Sequence, residues 1–388
     1  MKSRKLLMIP GPIEFEPEVL QAMGQPTTSH VAPDFIESFG NTLEIMRDVW
    51  QAPNGQPFII AGTGTLAMDI AGANLIESGD NALVISTGYF GERYFELLKR
   101  YGANVDILHA DIGNIVPMEV IDEQLSKKNY KLLTFTHVDT STAVLNDAKN
   151  IGILGKKHNV LTILDGVCSV AGEDIKQEEW GLDIVLTASQ KAIGVPPGLA
   201  LLVASKKAIS TWENRNTPVS NYYADWGNWL PIMKAYENRK PSYFGTPAVN
   251  LVQALEVSLK LILAEGLEQR FIRHRTISKA FRAALEAMDL SFIANSEEIS
   301  PNTLTAPYFP DGINGGDILA AINKAGVITA GGLLGEIKNK YFRVGHMGVV
   351  NRADILATIA AIETALKNAD HSFVMGSGLK AAMEILSD

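Results

Sequence analysis

Seven short, almost uninterrupted apolar runs constrain this chain more than any other feature: residues 57–60, 82–86, 104–108, 131–136, 160–164, 183–187 and 199–203. A strand that is apolar on both sides of its pleat has to be covered on both faces. Amphipathic stretches such as 91–101 and 148–157 lie between several of the runs and are the natural cover. The expectation is an α/β fold: a mainly parallel seven-stranded sheet with helices on both faces. Beyond about residue 245 the texture turns helical, with periodic stretches over 249–264, 267–287 and 352–367 and short strands near 303–308 and 341–344. That change predicts a smaller C-terminal α+β domain. The expected division is a large domain over 21–250, a small one over 251–388, and an amino-terminal segment, 1–20, packed on the small domain.

With 388 residues the chain is long enough for two domains, and 46% hydrophobic against 20% charged residues excludes disorder as its dominant state. It carries 34 Lys and Arg against 43 Asp and Glu, a net charge of −9, and no basic tract. Nucleic acid is therefore not the expected partner, because phosphate binding needs clustered cations. Cys168 is the single cysteine, so no intrachain disulfide and no multi-cysteine zinc site can form, and no metal is expected. No apolar run approaches the roughly 18–20 residues that cross a bilayer. Leu6-Leu7-Met8-Ile9 is cut off by Pro10 and Pro12, well short of the roughly 7–15 residues of a signal-peptide core. A soluble, cytoplasmic protein with no membrane partner is expected.

In an open α/β sheet, ligands bind beyond the carboxyl ends of the strands, so the residues just after each run are the informative ones. The first run leads into Ala61-Gly62-Thr63-Gly64-Thr65, where glycines permit a tight turn and a following helix offers free amides to an anion. It is neither a P-loop nor a dinucleotide fingerprint, since the lysine of one and the third glycine of the other are missing. The fifth run ends at Asp165, and the sixth leads to Ser189-Gln190-Lys191 before a turn rich in Gly and Pro. Each alone reads equally well as an ordinary turn, a helix cap or a surface lysine. Together, a phosphate cradle, a carboxylate and an amine at one sheet edge are what pyridoxal 5′-phosphate requires.

At these residues the chain resembles the fold type I, class V aminotransferases, and within them the alanine–glyoxylate / serine–pyruvate group. The resemblance runs from Ile9-Pro10-Gly11-Pro12 to Tyr341-Phe342-Arg343-Val344-Gly345-His346-Met347-Gly348. It is most specific at Thr136–Thr142, Ser189-Gln190-Lys191-Ala192 and Tyr243-Phe244-Gly245-Thr246-Pro247. It implies that Lys191 is the Schiff-base lysine and Asp165 the partner of the pyridine nitrogen. Thr63, Gly64, Thr65 and Gln190 match the phosphate cradle. Phe90 and Val167 match the residues on either side of the ring, with Phe90 standing where many relatives have tryptophan. Ser141 matches a hydroxyl beside the ring oxygen and the substrate, and Arg343 the arginine that grips the substrate carboxylate. Tyr243 and Thr246 match residues that reach the phosphate of the neighbouring subunit, which implies a homodimer with shared sites.

The implied reaction moves an amino group from alanine to glyoxylate, giving glycine and pyruvate, in a ping-pong cycle between amino acids and 2-oxo acids. Serine–glyoxylate, serine–pyruvate and ureidoglycine–glyoxylate transfer are the alternatives with the same cofactor. A nucleotide-binding oxidoreductase or a non-catalytic binder on the same scaffold are the alternatives of another class. Cys168 and His346 read as packing and structural residues, His30 as a candidate border of the site, and the acidic stretches Glu173–Glu179 and Glu297-Glu298 as solvated faces.

Overall fold

A computed structural model describes residues 5–387. Met1–Arg4 of the amino-terminal segment and Asp388 lie outside the described residues. The seven apolar runs form one sheet: β1 (Gln56–Ala61), β2 (Asn81–Ser86), β3 (Asn104–His109), β4 (Leu132–Thr136), β5 (Leu161–Asp165), β6 (Ile184–Ala188) and β7 (Leu199–Ala204). Their spatial order is β1-β7-β6-β5-β4-β2-β3. Six strands run the same way, and β7 is antiparallel to both its neighbours. The reversal comes from the loop 189–198, which turns the chain straight back beside β6 instead of crossing over through a helix. The central strands β4, β5 and β6 are buried along their whole length, which explains why they show no apolar/polar alternation.

Parallel strands place their carboxyl ends on one edge, and helix α1 (Gly64–Leu75) and helix α2 (Tyr89–Arg100) start from that edge after β1 and β2. A second, smaller core gathers Met8, Phe281, Leu285, Val344, Ile359 and Ile362. It lies under the three-stranded sheet of β8 (Leu304–Thr305), β9 (Ala330–Gly331) and β10 (Phe342–Gly345). Apolar residues of helix α3 (Val249–Glu265) belong to the large core, and those of the later part of helix α4 (Leu267–Glu286) to the small one. The amino-terminal segment divides likewise: Leu6 pairs in parallel with Val327 and Met8 enters the small core, whereas Val19 is buried in the large one.

Two polar clamps hold these cores against each other. Arg270, buried at the start of α4, donates to the carbonyls of Ala171 (2.8 Å) and Ala192 (2.7 Å) and pairs with Glu265 (2.7 Å). One turn on, Arg273 donates to the carbonyls of Gly348 and Val350, and His274 Nε2 accepts from the Gly348 amide. One helical turn thus fixes both the residue after Lys191 and the chain leaving the Arg343 strand. In the second clamp Glu173 accepts from the Asn302 amide and from Asn302 Nδ2 (2.7 Å). Burial pushes Glu173 up to about 7, so the acidic stretch 173–179 is not the solvated face expected of it throughout: its first carboxylate is buried and engaged by Asn302. Among the described residues, no helix is long and apolar enough to cross a membrane.

Candidate active site

Asp165 closes β5, with Thr136 of β4 beside it on one side and Leu186 of β6 on the other, so it stands at the middle of the ligand edge. It is 1% exposed, and its Oδ1 accepts from the Val167 amide at 3.0 Å. Burial pushes its carboxyl up to about 6, with the charge of Asp139 adding to the rise and the Val167 amide, Lys191 and Arg93 opposing it. Lys191 follows β6 by three residues. Its Nζ donates to the Pro10 carbonyl and lies 3.6 Å from Cys168 Sγ. Gly11 makes room for it: with φ +125°, a Cβ there would stand 2.5 Å from Lys191 Cδ.

Cys168 Sγ lies 2.8 Å from Thr140 Oγ1, and the Thr140 carbonyl accepts from Arg343 Nη1 at 3.2 Å. A short chain of contacts therefore joins Lys191 to Arg343 across the two domains. Arg343 also donates from Nε to the Gly331 carbonyl at 2.9 Å. Burial lowers its pKa, and no carboxylate forms an ion pair with it among the described residues.

The residues after β2 and β4 build the wall. Asp139 Oδ1 accepts from the Ser141 amide (2.8 Å) and hydroxyl (2.6 Å), and its Oδ2 accepts from the Phe90 amide (3.0 Å). Ser141 Oγ in turn accepts from the Tyr89 amide at 3.0 Å. A buried carboxylate and a hydroxyl thus cap the start of α2, and this fixes Phe90 and Ser141 relative to each other. The Tyr341 hydroxyl donates to the Ser141 carbonyl and accepts from the amides of Leu333 and Leu334, tying the small domain to the same turn. Asp139 and Tyr341 carry no role in the sequence reading. The Asp-x-Ser turn, where a side chain bonds the amide two residues on, was the signal for the first; the second has none.

At the start of α1, Thr63 makes no side-chain cap, so the first amides are left without a side-chain partner. Gly64 packs so closely that a Cβ would meet Val167 Cγ2 at 2.9 Å and Ala188 Cβ at 3.3 Å. Gln190 Oε1 is buried and has no hydrogen-bond partner among the described residues. Bare helix amides, an orphaned amide side chain, an amine without a carboxylate and a buried carboxylate without a bonded cation together fit a phosphate-bearing, ring-nitrogen cofactor. Thr63, Gly64, Thr65, Phe90, Ser141, Asp165, Val167, Gln190, Lys191 and Arg343 lie along this edge or facing it. Tyr243 and Thr246 do not join them within one chain: both are exposed, Tyr243 at 65%, and the Tyr243 ring lies 5.3 Å from that of His30. His346 is fully buried between Thr305 and the Asn302 carbonyl, a structural position.

The family model for "Aminotransferase class-V" matches residues 16–350. The chain is 41% identical over 361 residues to alanine–glyoxylate aminotransferase 1 of Saccharomyces cerevisiae, covering 90% of this chain and 93% of that one. It is 32% identical to serine–glyoxylate aminotransferase of Arabidopsis thaliana, with 99% and 95% covered. The crystal structure of ureidoglycine–glyoxylate aminotransferase from Bacillus subtilis superposes with a TM-score of 0.93 at 28% identity, covering 100% of this chain and 99% of that one. The chain is thus a transaminase and belongs to the class V aminotransferases.

Proposed function

We propose that this transaminase uses pyridoxal 5′-phosphate to move an amino group from alanine, or a similarly small amino acid, to glyoxylate, giving pyruvate and glycine. One observation supports the reading: Lys191 and Asp165 stand at one sheet edge and Arg343 reaches the turn beside it from β10, all three buried or half-buried and without an ion-pair partner among the described residues. Leaving charges uncompensated is costly unless a ligand completes them. The cofactor would supply an electron sink for the charge that develops at the substrate's α-carbon.

This chain's residues do the rest. The amides at the start of α1, with Thr63, Thr65 and Gln190, would hold the phosphate; Phe90 and Val167 would flank the ring; and Asp165 would keep its nitrogen protonated. Arg343 presents a planar donor to the substrate's α-carboxylate. Both half-reactions use α-carboxylates, so the same arginine serves donor and acceptor. The Lys191 amine takes the proton from the substrate's α-carbon and later returns one. A homodimer in which Tyr243 and Thr246 complete the neighbour's cradle is part of the proposal, resting on the exposure of both residues. A cytoplasmic location is also part of it, resting on the single buried Cys168.

Serine or ureidoglycine as donor is the second reading, favoured by the Arabidopsis and Bacillus relatives. A hydroxyl or methyl is discriminated by only about 1–3 kcal/mol in an apolar pocket. The test is an absorbance scan of the purified protein, followed by single half-reactions with alanine, serine, ureidoglycine and aspartate. Cofactor absorbance that each productive donor discharges, fastest with alanine and abolished by Lys191→Ala, is the expected result. A protein that is colourless after incubation with the cofactor, or turnover surviving Lys191→Ala, would sink the assignment.

A further inference from the structure

Arg93 lies in the second turn of α2, four residues after Tyr89 and three after Phe90, a spacing that brings the three side chains onto one helical face. Its guanidinium carbon is 4.9 Å from the centre of the Phe90 ring and 5.2 Å from that of Tyr89. Its Nη1 donates to Thr65 Oγ1 at 2.9 Å. The neighbouring acids of α2 are engaged elsewhere, Glu92 with Ser86 and His109 and Glu96 with Lys99. Among the described residues no carboxylate pairs with Arg93. An arginine in this position, bonded to a threonine of the cradle and lacking an anion, leaves a positive charge beside the bare amides of α1. A hydroxyl that accepts from Arg93 has its own proton free for another acceptor.

We propose that Arg93 is a positioning residue for the cofactor, turning the Thr65 hydroxyl toward the phosphate and backing the Phe90 ring on the side away from the pyridine. The proposal rests on the reading of the site as one for pyridoxal 5′-phosphate. It acts through Thr65, whose hydroxyl is free to rotate at a helix start, and through the Phe90 ring, which offers less stacking area than a tryptophan and gains a cation on one face.

The test compares binding of pyridoxal 5′-phosphate with binding of pyridoxal, which lacks the phosphate, to cofactor-free protein by fluorescence titration. Arg93→Gln is expected to weaken pyridoxal phosphate binding roughly ten- to a hundredfold, the scale of a charge-assisted hydrogen bond, and pyridoxal binding no more than about threefold. Arg93→Lys, which keeps the charge but not the planar fork, falls between. Thr65→Val combined with Arg93→Gln adds little to either alone, because one contact is being removed twice. Melting of the cofactor-free variants within a few degrees of the parent establishes that they are folded. Equal losses for both ligands, or fully additive losses in the double variant, overturn the proposal. A parent protein that binds neither ligand refutes the function itself, whereas parent binding left unchanged by Arg93→Gln refutes only the role of Arg93.

Discussion

Asp165 is costly to keep charged, and the cost has a sign that can be measured. Its carboxyl titrates at about 6 in the folded chain against 3.8 for an unperturbed aspartate. Between those values the folded state binds more protons than the unfolded one, so stability falls as pH rises toward 6 and stays lowered above it. About two units correspond to roughly 3 kcal/mol at most. Cofactor-free Asp165→Asn, whose amide oxygen can still accept from Val167, should therefore be about 2–3 kcal/mol more stable than the parent in urea at pH 7–8. The advantage should shrink as pH is lowered from 6 toward 4, and a variant no more stable than the parent at pH 8 would contradict it. The same variant should transaminate poorly.

Arg343→Lys belongs to this scale too. Lysine cannot at once serve the Gly331 and Thr140 carbonyls and present two parallel donors, so donor and acceptor specificity should both fall about ten- to a hundredfold. Steady-state kinetics with each substrate decides, and a defect in one half-reaction alone would move the carboxylate clamp elsewhere. Lys191 and Asp165 were legible because each stands where an apolar run ends. Asp139 showed only its local turn to Ser141, not its reach to Phe90, 49 residues away, and Tyr341 showed nothing, because its partner Ser141 lies 200 residues away.

At the scale of elements, six of the seven apolar runs translated directly into buried strands, while β3, at the edge of the sheet with one neighbour only, stays half-exposed, and the stretch 148–157 is the helix Ala148–Lys157. The small-domain strand read near 341–344 is Phe342–Gly345, but the one read near 303–308 is cut short: β8 stops at Thr305, and Pro307, which has no amide to donate, sustains only an isolated bridge to Phe292. The helix Ser377–Leu386 went unread, and the reason is its start. Gly376 precedes it and makes no side-chain cap. The acceptor comes instead from Glu363, a fully buried carboxylate on the helix Arg352–Asn368, which takes the amides of Gly376 (3.0 Å), Gly378 (2.9 Å) and Leu379 (3.2 Å). No local pattern announces a cap that arrives from another helix. Glu363→Ala should cost about 2–4 kcal/mol, since bonds to a charged acceptor contribute on the order of 1.5–3 kcal/mol and three amides lose theirs. Hydrogen exchange should quicken across 377–386 before the rest of the chain, and unchanged exchange there would show that packing alone holds this helix.

For the whole molecule, the decisive question is what covers the aromatic surface beside the cradle. Tyr222, 76% exposed, sits on a cluster with Phe244, Trp229 and Tyr223, whose hydroxyl donates to the Ala61 carbonyl at the end of β1, and Tyr243, 65% exposed, stands against the His30 ring. Large aromatic side chains left in water next to a binding site favour a partner surface, and a second copy supplies one whose own Tyr243 would approach this cradle by symmetry. Mixed dimers of Lys191→Ala and Tyr243→Phe subunits separate the possibilities. If each cradle takes Tyr243 from its neighbour, the site that keeps Lys191 also receives an unaltered tyrosine, from the Lys191→Ala subunit. Its cofactor affinity should then match the parent, and the mixed dimer should retain half the parent's sites at full strength. If each chain completes its own cradle, the site that keeps Lys191 carries phenylalanine at 243, and its affinity should match that of the Tyr243→Phe homodimer instead. The loss expected there is several-fold, the scale of one neutral hydrogen bond of about 1 kcal/mol. Titrating purified mixed dimers with the cofactor reads the difference directly, and parent-like affinity in none of the sites would end the case for a shared cradle.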